Sequence, residues 1–94
     1  MKYKLLIPDI LINEAIDYGY DGTALDWESI TNWLRTKHDI IISIGSSNLT
    51  DYQYNAVCYR PKDWFKASKH VGNDYEIVRN QILADALKLL NNGK

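Results

Sequence analysis

The chain has 94 residues, 46% of them hydrophobic and 24% charged, with a formal net charge of -1. That length sets one domain, 1–94, with enough chain for a core of its own, and leaves no room for a second, cofactor-binding half. The apolar content is too high and the net charge too low for a disordered tail.

The opening residues, MKYKLLIPDILINEA, carry two lysines and then apolar side chains. Pro8, Asp9, Asn13 and Glu14 interrupt that run and no small-residue cleavage site follows, so it does not read as a secretory leader. Pro8 to Tyr18 reads as a short helix. Proline suits a first turn, Asp9 and Glu14 lie toward its N-terminal end, and Gly19 can stop it. Leu11, Ile12, Ala15, Ile16 and Tyr18 share one broad face at helical spacing. Residues 3–7 alternatively form a short strand leading in, and Asp21-Gly22 marks a turn.

Trp27 to His38 is predicted as a second helix, with Asp26 as N-cap and Glu28 in the first turn. Trp27, Ile30 and Leu34 make its core stripe, flanked by Trp33, and Lys37 and His38 complement the dipole at its end. Ile40 to Ile44 reads as a strand, and Ile41 on its second face predicts that it is central in the sheet and partly covered on both sides.

Gly45 to Asp51 is loop by composition, and Tyr52 to Tyr59 is a second strand. The short loop predicts antiparallel pairing of the two. Arg60-Pro61 ends or bends the second strand. Residues 62–72 are ambiguous, with Trp64-Phe65 a candidate for a third, edge strand. Tyr75 to Leu90 is the longest predicted helix, capped by Asp74 and ended by Asn91-Asn92-Gly93. Its stripe is Tyr75, Val78, Ile82, Ala86 and Leu89, widened by Leu83 and Leu90.

The expected architecture is α+β: a small antiparallel sheet of two or three strands packed with two or three helices, in the order α-α-β-β-(β)-α. No apolar run approaches the roughly 20 residues of a membrane span, which argues against membrane insertion. A single cysteine suits a reducing compartment, so a cytoplasmic location is expected.

The run Trp33-Leu34-Arg35-x-Lys37-His38-Asp39-Ile40-x-Ile42, ending a helix and opening a strand, is followed later by a helix that opens Tyr75-Glu76 and closes Ala86-Leu87-Lys88-Leu89-Leu90. This pattern resembles a group of short uncharacterised α+β proteins of bacterial phages, prophages and mobile elements. Their WLRxKH helix end precedes an Ile-rich strand, and a YEEA-like final helix ends in ALKL. The likeness covers roughly residues 26–44 and 75–90. Ile77-Val78 replaces the usual Glu-Ala pair, and residues 46–73 have no clear counterpart. The resemblance implies the fold and a mobile-element origin, and carries over no catalytic residue. The helix–strands–helix portion also resembles a double-stranded-RNA-binding domain, at the level of fold alone.

Few residues suggest chemistry. His38-Asp39 is a histidine beside a carboxylate, but adjacent residues at a helix end seldom face each other; packing against the core and capping of carbonyls explain His38 as well. Cys58 is the one available thiol, with only His38 and His70 as possible bases, and a small apolar thiol in a strand is commonly a core residue. No His-x-x-x-His or Cys-x-x-Cys spacing suggests a metal. Asp17, Asp21 and Asp26 lack the spacing of a calcium loop. The five glycines are isolated, so no phosphate-binding loop is visible, and no cofactor is expected. Asn48-Leu49-Thr50 matches the glycosylation triplet without a secretory context. Arg79, inside the apolar stripe of the last helix, is expected to snorkel to solvent.

Charge is distributed unevenly. Residues 1–30 hold Lys2 and Lys4 against six carboxylates, a balance of -4, whereas residues 60–70 hold Arg60, Lys62, Lys66 and Lys69 against Asp63, a balance of +3. Trp64 and Phe65 lie among those cations. Cations for phosphates interleaved with aromatic faces for bases are what a nucleic-acid contact needs, and basic residues also guard edge strands. With a net charge of -1, the chain lacks the basic footprint of a dedicated nucleic-acid binder. The expected function is therefore a non-enzymatic accessory protein that recognises a host or phage protein through its acidic N-terminal region or the Arg60–His70 segment. The alternative is a weak RNA- or DNA-binding module on Arg60, Lys62, Trp64, Lys66 and Lys69.

Overall fold

The structure is a computed structural model that describes residues 7–47 and 53–92. Three helices, α1 (Asp9–Asp17), α2 (Trp27–His38) and α3 (Tyr75–Asn92), combine with three strands, β1 (Ile41–Ser47), β2 (Gln53–Tyr59) and β3 (Ser68–Gly72). The strands form one antiparallel sheet in the order β1-β2-β3. The α+β architecture and its element order are those expected from the sequence. The alternative strand at residues 3–7 lies outside the described residues except for Ile7, which is in no strand, and the Asn48-Leu49-Thr50 triplet and Gly93 also lie outside them.

The helix ends show why the elements stop where they do. Gly19, at φ 110°, lets the chain turn left-handed after α1. Its N–H then bonds Ile16 O and that of Tyr20 bonds Ala15 O, both at 2.9 Å, the paired closure of a Schellman motif. Asp26 Oδ1 accepts from Ser29 N at 2.8 Å, and Asp74 Oδ1 from Ile77 N at 3.1 Å, so both predicted caps satisfy an orphan donor. At the end of α2, Asp39 takes the left-handed conformation (φ 58°) that glycine usually supplies.

The sheet alternates in the ordinary way. Ala56 and Cys58 of β2 are fully buried, and Ile42, Ile44 and Tyr54 pack on the same core. The core is completed by Ile30 and Leu34 of α2, and by Val78, Ile82, Leu83, Ala86 and Leu87 of α3. The opposite sheet face bears Ser43, Asn55, Lys69 and Val71, all exposed, beside half-buried Ile41, Val57 and Tyr59. The helices therefore gather on one face of the sheet, and no described helix covers the other.

Four expectations need correction. Residues 45–47, expected to be loop, continue β1, because Gly45, Ser46 and Ser47 pair with Asn55, Tyr54 and Gln53 of β2. Among the described residues β1 lies at the edge of the sheet, not at its centre, and the isoleucine on its second face, Ile41, is half-buried opposite Tyr59. Trp64-Phe65 belongs to no strand. Pro61–Lys66 forms two 3-10 turns, and Trp64 O accepts from Ala67 N before β3 begins at Ser68. Proline at the first position presets φ for the turn and lacks the N–H a ladder needs. Arg79 does not reach solvent: it is 2% exposed, with its guanidinium carbon 5.1 Å from the centroid of the Trp27 ring. Its stem is directed along the α2–α3 contact, where an aromatic face holds the cation inside.

Candidate functional site

The antiparallel register places Ile41 beside Tyr59 and Cys58 beside Ser68. The start of β1, the end of β2, the 3-10 turns and the start of β3 thus share one end of the domain. α2 stops there as well, three residues before β1, and α3 returns there, since Arg60 Nη2 donates to Leu89 O at 3.3 Å. Arg35, Lys37, Lys62 and Lys88 are all exposed in these segments. The helix N-termini lie at the other end with Asp26, Glu28, Asp74 and Glu76. In α2 the charges follow the helix dipole, with Glu28 in the first turn and Arg35, Lys37 and His38 in the last, whereas Asp39 at its C-cap and Asp63 on the 3-10 turns stand among the cations.

The five residues of the predicted basic–aromatic segment fare differently. Trp64 is 69% exposed, on the 3-10 turns with exposed Lys62. Arg60 is partly buried and serves α3 as a cap on a terminal carbonyl. Lys69 projects from the open sheet face, paired across the ladder with Val57. Lys66 lies in the same turns as Trp64, with its side chain outside the described set. His70, the last residue of the segment, turns inward, its Nε2 2.6 Å from Asp85 Oδ2 on α3. The structure thus brings Lys62 and Trp64 together, sets Lys69 on another face, and commits Arg60 and His70 to internal partners.

Arg60 also acts on His38. Burial holds the His38 imidazole below its ordinary value of 6.5, and the nearby Arg60 guanidinium lowers it further. The ring meets Trp33 edge-on at 4.8 Å, and Trp33 meets Tyr20 edge-on at 5.4 Å. His38 is thus the end of an aromatic row that locks the end of α2 to the chain around Tyr20, rather than the partner of Asp39.

Cys58 is fully buried. Burial, and secondarily the Asp85 carboxylate, push its thiol up to about 11, while hydrogen bonding from Ser68 pulls weakly the other way. A thiol that stays protonated is a poor nucleophile. Among the described residues, no three His, Cys, Asp or Glu side chains gather as metal ligands. No described helix is long and apolar enough to cross a membrane.

One surface was not visible from the residue pattern. A groove of about 470 Å³ runs between α2 and β1, lined by Glu28, Thr31, Asn32, Arg35, Ile41 and Ile42. The four α2 residues fall at i, i+3, i+4 and i+7, one polar helix face. Its role as a groove wall depends on β1 lying at the sheet edge. No protein-family description, curated protein or solved structure matches this chain.

Proposed function

We propose that this domain is a non-enzymatic accessory protein of phage or mobile-element type that works by binding another protein through its basic end, with Trp64 as the anchor. The observation that carries this reading is the 69% exposure of Trp64. A tryptophan at the surface is the kind of side chain that dominates interfaces, where its burial outweighs the cost of ordering it. Lys62, Lys37 and Arg35 on the same end favour a partner surface that is acidic. The phage or mobile-element class rests on the sequence pattern at the α2 end and along α3 alone. Cys58 held protonated in the core supports the absence of thiol chemistry.

The second reading is weak RNA or DNA binding. It is favoured by exposed Lys62 and Trp64 on the same 3-10 turns, which offer a cation and a stacking face two residues apart. The loss of Arg60 to Leu89 O reduces the cations left for phosphates. Asp74 and Glu76 at the start of α3 oppose an anion at that helix N-terminus.

Affinity capture from bacterial lysate separates the two. The immobilised domain and its Trp64→Ala variant are compared, each with and without nuclease. Protein binding predicts a partner that survives nuclease and is lost with Trp64→Ala. Recovery of nucleic acid, with proteins lost after nuclease, would replace the first reading by the second. Capture that is unchanged in Trp64→Ala would overturn the anchor role.

A further inference from the structure

We infer that the outer edge of β1 receives an extended peptide strand from a partner protein, laid in the groove between β1 and α2. This surface adjoins the basic end and shares Arg35 with it, but involves neither Trp64 nor Lys62. Among the described residues β1 has a neighbour, β2, on one side only. Its seven residues, Ile41–Ser47, include no charged side chain and no proline. Natural sheets usually blunt an exposed edge with lysine, proline or shortness. β3, the other edge, follows that habit: it has five residues and carries Lys69. β1 does not, and among the described residues no strand pairs with its outer side, which leaves those backbone groups as a template for another strand.

The groove adds what a bare edge lacks. Strand addition takes affinity from main-chain hydrogen bonds and selectivity from side-chain positions beside the edge. Here the half-buried Ile41 and Ile42 supply apolar contact, and Glu28 and Arg35 supply opposite charges. Arg35 is steadied by a hydrogen bond from its guanidinium to Asn32 Oδ1. Seven helical residues separate Glu28 from Arg35 by about 10.5 Å. Residues four apart on one side of a strand are about 13 Å apart, within reach of these long side chains. The fitting occupant is thus a strand with a basic residue, an apolar residue and an acidic residue on one side, the acid facing Arg35. A second copy of β1 offers no charge to either group, so the groove selects a foreign strand over self-pairing.

The test uses the whole chain and the synthetic heptapeptide acetyl-Thr-Lys-Thr-Val-Thr-Glu-Thr-amide, followed by NMR titration and amide hydrogen exchange. The expected result is saturable binding that protects the β1 amides facing away from β2. Arg35→Glu and Glu28→Lys, both exposed positions, each weaken it about tenfold. The double variant instead prefers the peptide with Lys and Glu exchanged. Trp64→Ala leaves the affinity unchanged, which distinguishes failure here from failure of the basic-end reading. Absence of binding would overturn the proposal. So would β1 amides already protected without peptide: concentration-dependent protection would assign the edge to a second copy, and concentration-independent protection to another segment of the same chain.

Discussion

Nε2 of His70 on β3 lies 2.6 Å from Oδ2 of Asp85 on α3. The two side chains are 30% and 24% exposed, so the pair is neither fully solvated nor sealed. It pins the shortest strand, at the sheet edge, to the helix that covers the sheet. Its position explains how a five-residue edge strand stays in register after the 3-10 turns. Because solvent reaches both partners, the pair contributes on the order of 1 kcal/mol. Asp85→Ala should lower the unfolding free energy by about that amount. A double-mutant cycle with His70→Ala should return a coupling of roughly 0.5–1 kcal/mol in urea denaturation. A coupling near zero would mean that β3 is held by its ladder alone.

The buried thiol gives a prediction in alkali. Cys58 has a folded-state value of about 11 against an ordinary 9.0. The unfolded chain therefore loses this proton first, and stability is fully present below pH 9 and declines as pH rises from 9 toward 11. The stability difference between the native chain and Cys58→Ala should be flat up to pH 9, then fall by as much as roughly 2–3 kcal/mol by pH 11. In the folded protein, a disulfide reagent at pH 8 should leave the thiol unmodified until urea exposes it.

His38 predicts the opposite limb. Its folded value lies below 6.5 because burial and Arg60 disfavour the imidazolium. The unfolded chain binds that proton more readily, so the contribution of His38 is present above pH 6.5 and is lost as pH falls below it. Arg60→Gln should move the His38 titration upward when followed by the imidazole proton resonances. The same substitution frees Leu89 O, so a modest fall in stability, about 1 kcal/mol, should accompany it. An unmoved titration would leave burial as the whole cause.

Asp39 stands at φ 58° directly after α2. A side chain there is strained, and a negative charge at a helix C-terminus opposes the dipole. Both effects have the same sign, so Asp39→Gly should stabilise the domain by about 1 kcal/mol. For a chain of this size the melting temperature should rise by about 4–8 °C. A fall instead would show that the Asp39 side chain makes a compensating bond.

The helices were legible because their signals are local. The stripe of Ile30 and Leu34 and the caps Asp26 and Asp74 act within a few residues, and the structure uses both caps as the spacing implies. The pairing of the Ile-rich strand with the Tyr/Val-rich strand was legible for the same reason, since a short loop leaves little choice. The basic–aromatic segment was legible as composition only. Whether its cations face outward depends on carbonyls and carboxylates 29 and 15 residues away.

By itself, then, the sequence determined the kinds of element, their order and where the long helices begin, because periodicity and capping operate within one or two turns. Tertiary structure alone decided that β2 lies between β1 and β3, that Trp64 stays out while Arg79 goes in, and that Arg60 and His70 serve α3. Those outcomes follow from which distant surfaces meet. An isoleucine strand is equally apolar at the centre or at the edge of a sheet, and a cation becomes structural only when the fold brings an acceptor to it.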